Sequence, residues 1–117
     1  MPQQKIHNLL VIGTGKVGKL VALLLSQGGF AVTTLDQKPQ KSKYFKSITG
    51  DVTRKETIIR ALKGKDAVVT CLPYHLNLTV AEAAFAAGVH YFDLTEDVAT
   101  TQAIRHMNKR AKGVMAP

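Results

Sequence analysis

Hydrophobic positions along this chain come as short continuous runs, and the stretches between them carry apolar residues at helical spacing. Asn8 to Ile12, with Leu9-Leu10-Val11-Ile12 unbroken, reads as a strand buried on both faces, as in a parallel sheet covered on two sides. Val17, Leu20, Val21, Leu24 and Leu25 then form one helical stripe, and Gly28-Gly29 stops it. Ala31 to Leu35 is a second strand. Gln37 to Tyr44 is polar, lysine-rich and contains Pro39, which predicts a loop with at most a turn of helix. Lys46 to Thr49 is a short third strand closed by Gly50-Asp51-Val52. Thr53 and Glu56 have the spacing of a capping box ahead of a helix that carries Ile58, Ile59 and Leu62 and stops at Gly64.

Asp66 to Leu72 is the fourth strand, broken by Pro73. A helix of small residues follows from Leu78 to Ala87, packing Val80, Ala84 and Phe85 and ending at Gly88. His90 to Leu94 is a fifth strand, Val98 to Lys112 a helix, and Gly113 to Ala116 a sixth strand. This alternation predicts an α/β fold of Rossmann-like type: a doubly wound parallel sheet in three α/β/α layers, strand order 3-2-1-4-5-6, forming one domain over residues 1–117. Ligands of such sheets lie outside the carboxyl ends of the strands, where the order reverses between strands 1 and 4. Those ends hold Gly13 to Gly18, Asp36, Gly50 to Val52, Cys71 to His75 and Leu94 to Asp97.

Gly13-Thr14-Gly15-Lys16-Val17-Gly18 follows the first strand and opens the first helix, the context that makes a glycine pattern a dinucleotide site. Gly13 turns the chain out of the strand, Gly15 lets backbone approach a pyrophosphate, and Gly18 lets the helix lie close on the sheet. The amides that open the helix face the anion, placing Thr14, Lys16 and Val17 in the same cradle. Asp36 lies 18 residues beyond Gly18, close to the spacing of a carboxylate that accepts hydrogen bonds from an adenosine ribose. A carboxylate there repels a 2′-phosphate, so NAD is favoured over NADP, although Lys38 and Lys41 soften that repulsion.

Composition narrows the reading. No apolar run approaches the ~20 residues that span a bilayer. The opening Met1-Pro2-Gln3-Gln4-Lys5 has no signal-peptide character, and the single Cys71 makes no internal disulfide; a cytoplasmic location is expected. No ligand spacing for a metal is present. The formal charge of +8 suggests a polyanion, but no nucleic-acid-binding signature accompanies it. A solvated basic surface accounts for it first, and steering of a phosphorylated cofactor second.

The other strand ends carry paired readings. Asp51 and Val52 border an adenine ring, or Asp51 is a local turn residue. Cys71, Leu72 and Pro73 border the inner ribose and nicotinamide side, with Cys71 a buried strand cysteine and not a nucleophile. Tyr74, His75 and Asn77 occupy a loop facing the reacting end, where His75 is a candidate proton-transfer group or a plain surface residue. Thr95-Glu96-Asp97 reads as a helix cap with acidic residues complementing the dipole. No catalytic residue is assigned.

Val11 to Gly18, Gly50-Asp51-Val52-Thr53, Asp66 to Tyr74 and Ala87 to Thr95 together resemble the N-terminal nucleotide-binding domain of saccharopine dehydrogenase and lysine dehydrogenase-type enzymes. The resemblance implies a nicotinamide-dependent oxidoreductase acting on a C–N bond of an amino acid. It also implies a second, substrate-binding domain after the sixth strand, the longer chain continuing from Val114-Met115-Ala116-Pro117, so that the isolated chain is inactive. The glycine turn, Asp36 and Gly50-Asp51-Val52-Thr53 also resemble the regulatory nucleotide-binding domain of potassium uptake systems and channels. That alternative implies a ligand sensor that is not an enzyme and forms a homodimer.

Overall fold

The computed structural model describes residues 6–13, 15–93 and 115–116, with backbone alone for Tyr74, Met115 and Ala116. Its strands are β1 (Asn8–Ile12), β2 (Ala31–Asp36), β3 (Lys46–Thr49), β4 (Ala67–Thr70), β5 (His90–Asp93) and β6 (Met115–Ala116). They form one sheet in the order β3-β2-β1-β4-β5-β6, and every neighbouring pair is parallel. The expected strand order is the one observed. β1 lies between β2 and β4, with Leu9 opposite both Val32 and Ala67.

Strand alternation divides the core into two layers. Leu10 and Ile12 join Leu35, Ile58, Val68 and Tyr91 on one face, under α2 (Lys55–Leu62) and α3 (Tyr74–Ala87). Leu9 and Val11 join Ala22, Val32 and Ala67 on the other, under α1 (Lys16–Gln27). Because both faces of β1 are covered, its sequence has no polar alternation. Asp66 ties the sheet's amino-terminal end together: its carboxylate accepts the amide protons of His7 at 2.9 Å and Asn8 at 2.8 Å. Those bonds hold the Asp66 carboxyl below the usual carboxylate range.

Several local expectations are corrected. Only part of the expected apolar stripe of α1 faces the sheet: Val21 and Leu25 pack against the core, Gly18 and Ala22 are the buried residues, and Val17, Leu20 and Leu24 are each more than half exposed. The helix lies so close that only the line of smallest side chains fits beneath it, and Val21 and Leu25 are left half-buried beside that line. In α2, Ile58 and Leu62 are buried as expected but Ile59 is exposed, and Ala61 takes the inward position.

The capping box at Thr53 and Glu56 does not form. Arg54 occupies the N-cap with no side-chain hydrogen bond, because the Thr53 hydroxyl donates to Asp51 instead, at 2.5 Å. α3 starts at Tyr74, four residues before the expected start, so Tyr74, His75 and Asn77 lie in its first turns and not in a loop. Nothing in the side chains marks that start: Pro73 is the N-cap and makes no side-chain cap bond. The stop at Gly88 holds, with a left-handed φ of 70° that satisfies the last turn. Leu94, the helix expected over Val98 to Lys112, Gly113 and Val114 lie outside the described residues.

Candidate dinucleotide cleft

The glycine turn sits where the sheet order reverses. The Gly13 amide donates to the Leu35 carbonyl at 2.9 Å, and the Cys71 amide donates to the Ile12 carbonyl at 2.8 Å, so the turn is moored to the ends of both β2 and β4. Gly13 has a φ of 83°, a left-handed conformation that favours glycine, and a Cβ there would stand 3.0 Å from the Leu72 side chain. At Gly18 a Cβ would lie 1.8 Å from the Gly13 carbonyl oxygen, inside any permitted contact. At Gly15, the N-cap of α1, a Cβ would meet nothing within 4 Å. The three glycines thus differ: one turns the chain, one admits the helix to the strand, and one leaves open space in front of a helix start.

That helix start has no side-chain cap and no acidic residue in its first turn, so its first amides have no side-chain anion of their own. Lys16 and Val17 are exposed beside it. Thr14 lies outside the described residues, as do Thr95, Glu96 and Asp97.

Asp36 closes β2 with a half-buried side chain. Its carboxylate accepts the Gln37 amide proton at 2.6 Å, and its main-chain carbonyl accepts the Gly50 amide proton at 2.9 Å, which ties the ends of β2 and β3. A cleft of about 400 Å³ lined by Gln37, Gly50 and Asp51 opens beside it. Asp51 is exposed and accepts both the amide and hydroxyl protons of Thr53, which lower its carboxyl below the usual range. Its turn role is therefore observed. Val52 corrects the expectation of a ring-bordering side chain: it is 5% exposed and packs in the core with Leu35 and Ile58.

Beyond β4, Cys71 is half-buried and burial pushes its thiol up, the opposite of an activated nucleophile. Leu72 leans onto the core beside the glycine turn, and Pro73 is exposed at the start of α3. The sequence reading missed the buried polar group beneath this corner. The Thr70 hydroxyl donates to the Asn77 side-chain oxygen at 2.8 Å and accepts the Leu72 amide proton at 3.2 Å. The Tyr91 hydroxyl donates to the Asp93 carboxylate and lies 3.4 Å from the Asn77 carbonyl. Burial first, and the Asp93 hydrogen bond second, push the Tyr91 phenol far up. Asn77, 1% exposed, therefore faces inward and supports the corner from below. The sequence held no signal that singled it out: α3 also carries His75, Thr79 and Glu82, and of these four polar residues only Asn77 is buried. His75 is exposed on the other side of the same turn.

Among the described residues no group of His, Cys, Asp and Glu could hold a metal ion, and no helix is long and apolar enough to cross a membrane. The family model described as "Saccharopine dehydrogenase NADP binding domain" matches residues 9–116. The chain belongs to this family. It is an NAD(P)-binding domain of Rossmann-like fold.

Among solved structures, it is similar to saccharopine dehydrogenase (L-Glu forming) from Saccharomyces cerevisiae, with TM-score 0.73 and 20% identity, covering 84% of this chain and 24% of that one. It is also similar to the Kef CTD from Shewanella denitrificans in its AMP-bound form, with TM-score 0.73 and 22% identity over 90% of this chain and 69% of that one. Uronate dehydrogenase from Agrobacterium tumefaciens gives TM-score 0.63 and 18% identity over 76% and 40%. At these identities the likeness concerns the fold. The chain spans about a quarter of the yeast enzyme's length.

Proposed function

We propose that this domain holds NAD at the carboxyl ends of β1, β2 and β4 as the cofactor half of a saccharopine dehydrogenase-like oxidoreductase acting on a C–N bond of an amino acid. The observation that carries the cofactor site is the open space in front of Gly15, at the uncapped start of α1 and moored between β2 and β4. The amides from Gly13 to Gly18, including those of Thr14, Lys16 and Val17, surround the pyrophosphate there, and Lys16 adds a positive charge. Asp36 accepts hydrogen bonds from the adenosine ribose. Gly50, Asp51 and the Val52 backbone border the adenine, while Cys71, Leu72 and Pro73 border the inner ribose. A bound nicotinamide would supply or accept the hydride; the chain's residues bind and orient it.

NAD over NADP rests on Asp36. Two like charges about 4 Å apart at an effective dielectric near 20 repel by about 4 kcal/mol, more than one flexible lysine nearby offsets. The substrate side of the reaction belongs to a second domain, as it must if the reacting carbon is to be held about 3 to 3.5 Å from the nicotinamide and shielded from water.

Gly15→Val tests the site. The added Cβ meets nothing within 4 Å, so the branched side chain is directed at the ligand's space, and the variant is expected to keep its unfolding midpoint and lose NADH binding in calorimetry. Equal affinity in parent and variant removes the proposal.

A ligand-sensing role without catalysis is the second reading, favoured by the similarity to the Kef CTD, of which this chain covers 69%. It requires AMP to bind at least as well as NADH. A clear preference for NADH in parallel titrations speaks against it.

A further inference from the structure

Lys41 and Lys43, in the loop after β2, line the opposite end of the sheet from the cofactor cleft. The chain from Gln37 to Phe45 runs back along the sheet, and Lys41, Lys43 and Lys46 meet Lys65 around two adjoining clefts of about 780 and 510 Å³. These clefts also contain Asn8, Ala31 and Lys46, the first residues of β1, β2 and β3, so they lie at the amino ends of the strands. Five residue steps along β2 separate Ala31 from Asp36, which places the clefts about 16 Å from the cofactor end.

One lysine on an exposed edge strand such as β3 is adequately explained as protection against pairing with another chain. Four lysines from the loop, β3 and the turn before β4 facing shared clefts exceed that need, since like charges brought together repel. Among the described residues no carboxylate lines either cleft. Hydroxyls are present as well: Ser42 accepts the Tyr44 amide proton at 3.0 Å and Ser47 accepts that of Gln40 at 3.3 Å, an arrangement that leaves each hydroxyl proton available to an incoming anion. The nearest acid in sequence, Asp66, is engaged with the His7 and Asn8 amides.

From this cluster we infer a second anion site, distinct from the dinucleotide cleft, that takes a compact polyanion of di- or triphosphate type at the amino-terminal end of the sheet. Its affinity depends on salt, because the lysines are open to solvent and screened over about 10 Å at 0.1 M.

Calorimetric titration with inorganic triphosphate at low salt tests it on the parent, on the Lys46→Gln/Lys65→Gln double variant and on Gly15→Val. The double variant is expected to bind at least tenfold more weakly, with its circular dichroism unchanged, and Gly15→Val to bind as the parent does. Absence of binding to the parent, equal binding in the double variant, or loss in Gly15→Val overturns the inference; the last outcome would place the anion at α1. NADH titration of the same proteins reports separately on the cofactor site.

Discussion

The three glycines of the turn show how one residue type performs unlike tasks a few residues apart. Gly15 faces open space, so its substitution bears on ligand binding, whereas Gly18 faces the Gly13 carbonyl, so its substitution bears on folding. Gly18→Ala is expected to destabilise the domain by about 3 kcal/mol, since α1 must lift off the strand to admit a methyl group. Urea denaturation checks this, and an unchanged midpoint contradicts it. At Asp36 the expected effect is on choice of cofactor. Asp36→Ser narrows or reverses the preference for NAD over NADP by removing the charge that repels a 2′-phosphate. Titrations at matched salt measure it, and a parent that already prefers NADP would contradict the assignment and shift attention to Lys38.

Among the elements, β1 is flanked by strands on both sides, and the Asp66 carboxylate reinforces its entry beside the main-chain bonds from Ala31 to His7 and from Asp66 to Asn8. Asp66 joins the turn before β4 to the first residues of β1 through two amides. Its folded pKa is depressed below the ordinary value of 3.8, so this contribution is fully present above that value and is lost as pH falls through the folded one. Stability of the parent should therefore decline more steeply below about pH 4 than that of Asp66→Asn, while at pH 6 the variant is the less stable. Parallel denaturation curves at pH 3 and pH 6 give the comparison, and identical slopes would show that the two bonds do not matter. The helices were less legible than the strands. Apolar spacing in α1 pointed to Val17, Leu20, Val21, Leu24 and Leu25, of which only Val21 and Leu25 pack on the core; helical periodicity records which residues share a face and not how near that face comes to its neighbour. The buried Asn77 escaped for a related reason: its partners Thr70 and Tyr91 lie on strands 7 and 14 residues away.

For the whole molecule, the division of labour follows from the open cleft. A single nucleotide-binding domain offers one wall to the nicotinamide, and hydride transfer needs a second wall to position the substrate and exclude water. The 117-residue chain is accordingly expected to bind NADH yet to give no reduction of NAD with saccharopine or lysine above background in a spectrophotometric assay. A form of the protein that carries a substrate domain is expected to turn over. Turnover by the isolated chain comparable to that of the longer form would show that the domain is catalytically sufficient.

The amino-acid sequence by itself determined the strand order, the glycine turn and the placing of Asp36 at a strand end. These depend on local causes: runs buried on both faces, a residue needing positive φ, and the short reach of each crossover. Only the tertiary structure decided that Gly18 and Ala22 carry the closest contact of α1, that Val52 and Asn77 turn inward, and that Lys65 meets Lys41, Lys43 and Lys46 at the far end of the sheet. Each of those outcomes depends on the distance between packed elements or on the path of a loop around an edge, and neither is encoded in the periodicity of any one segment.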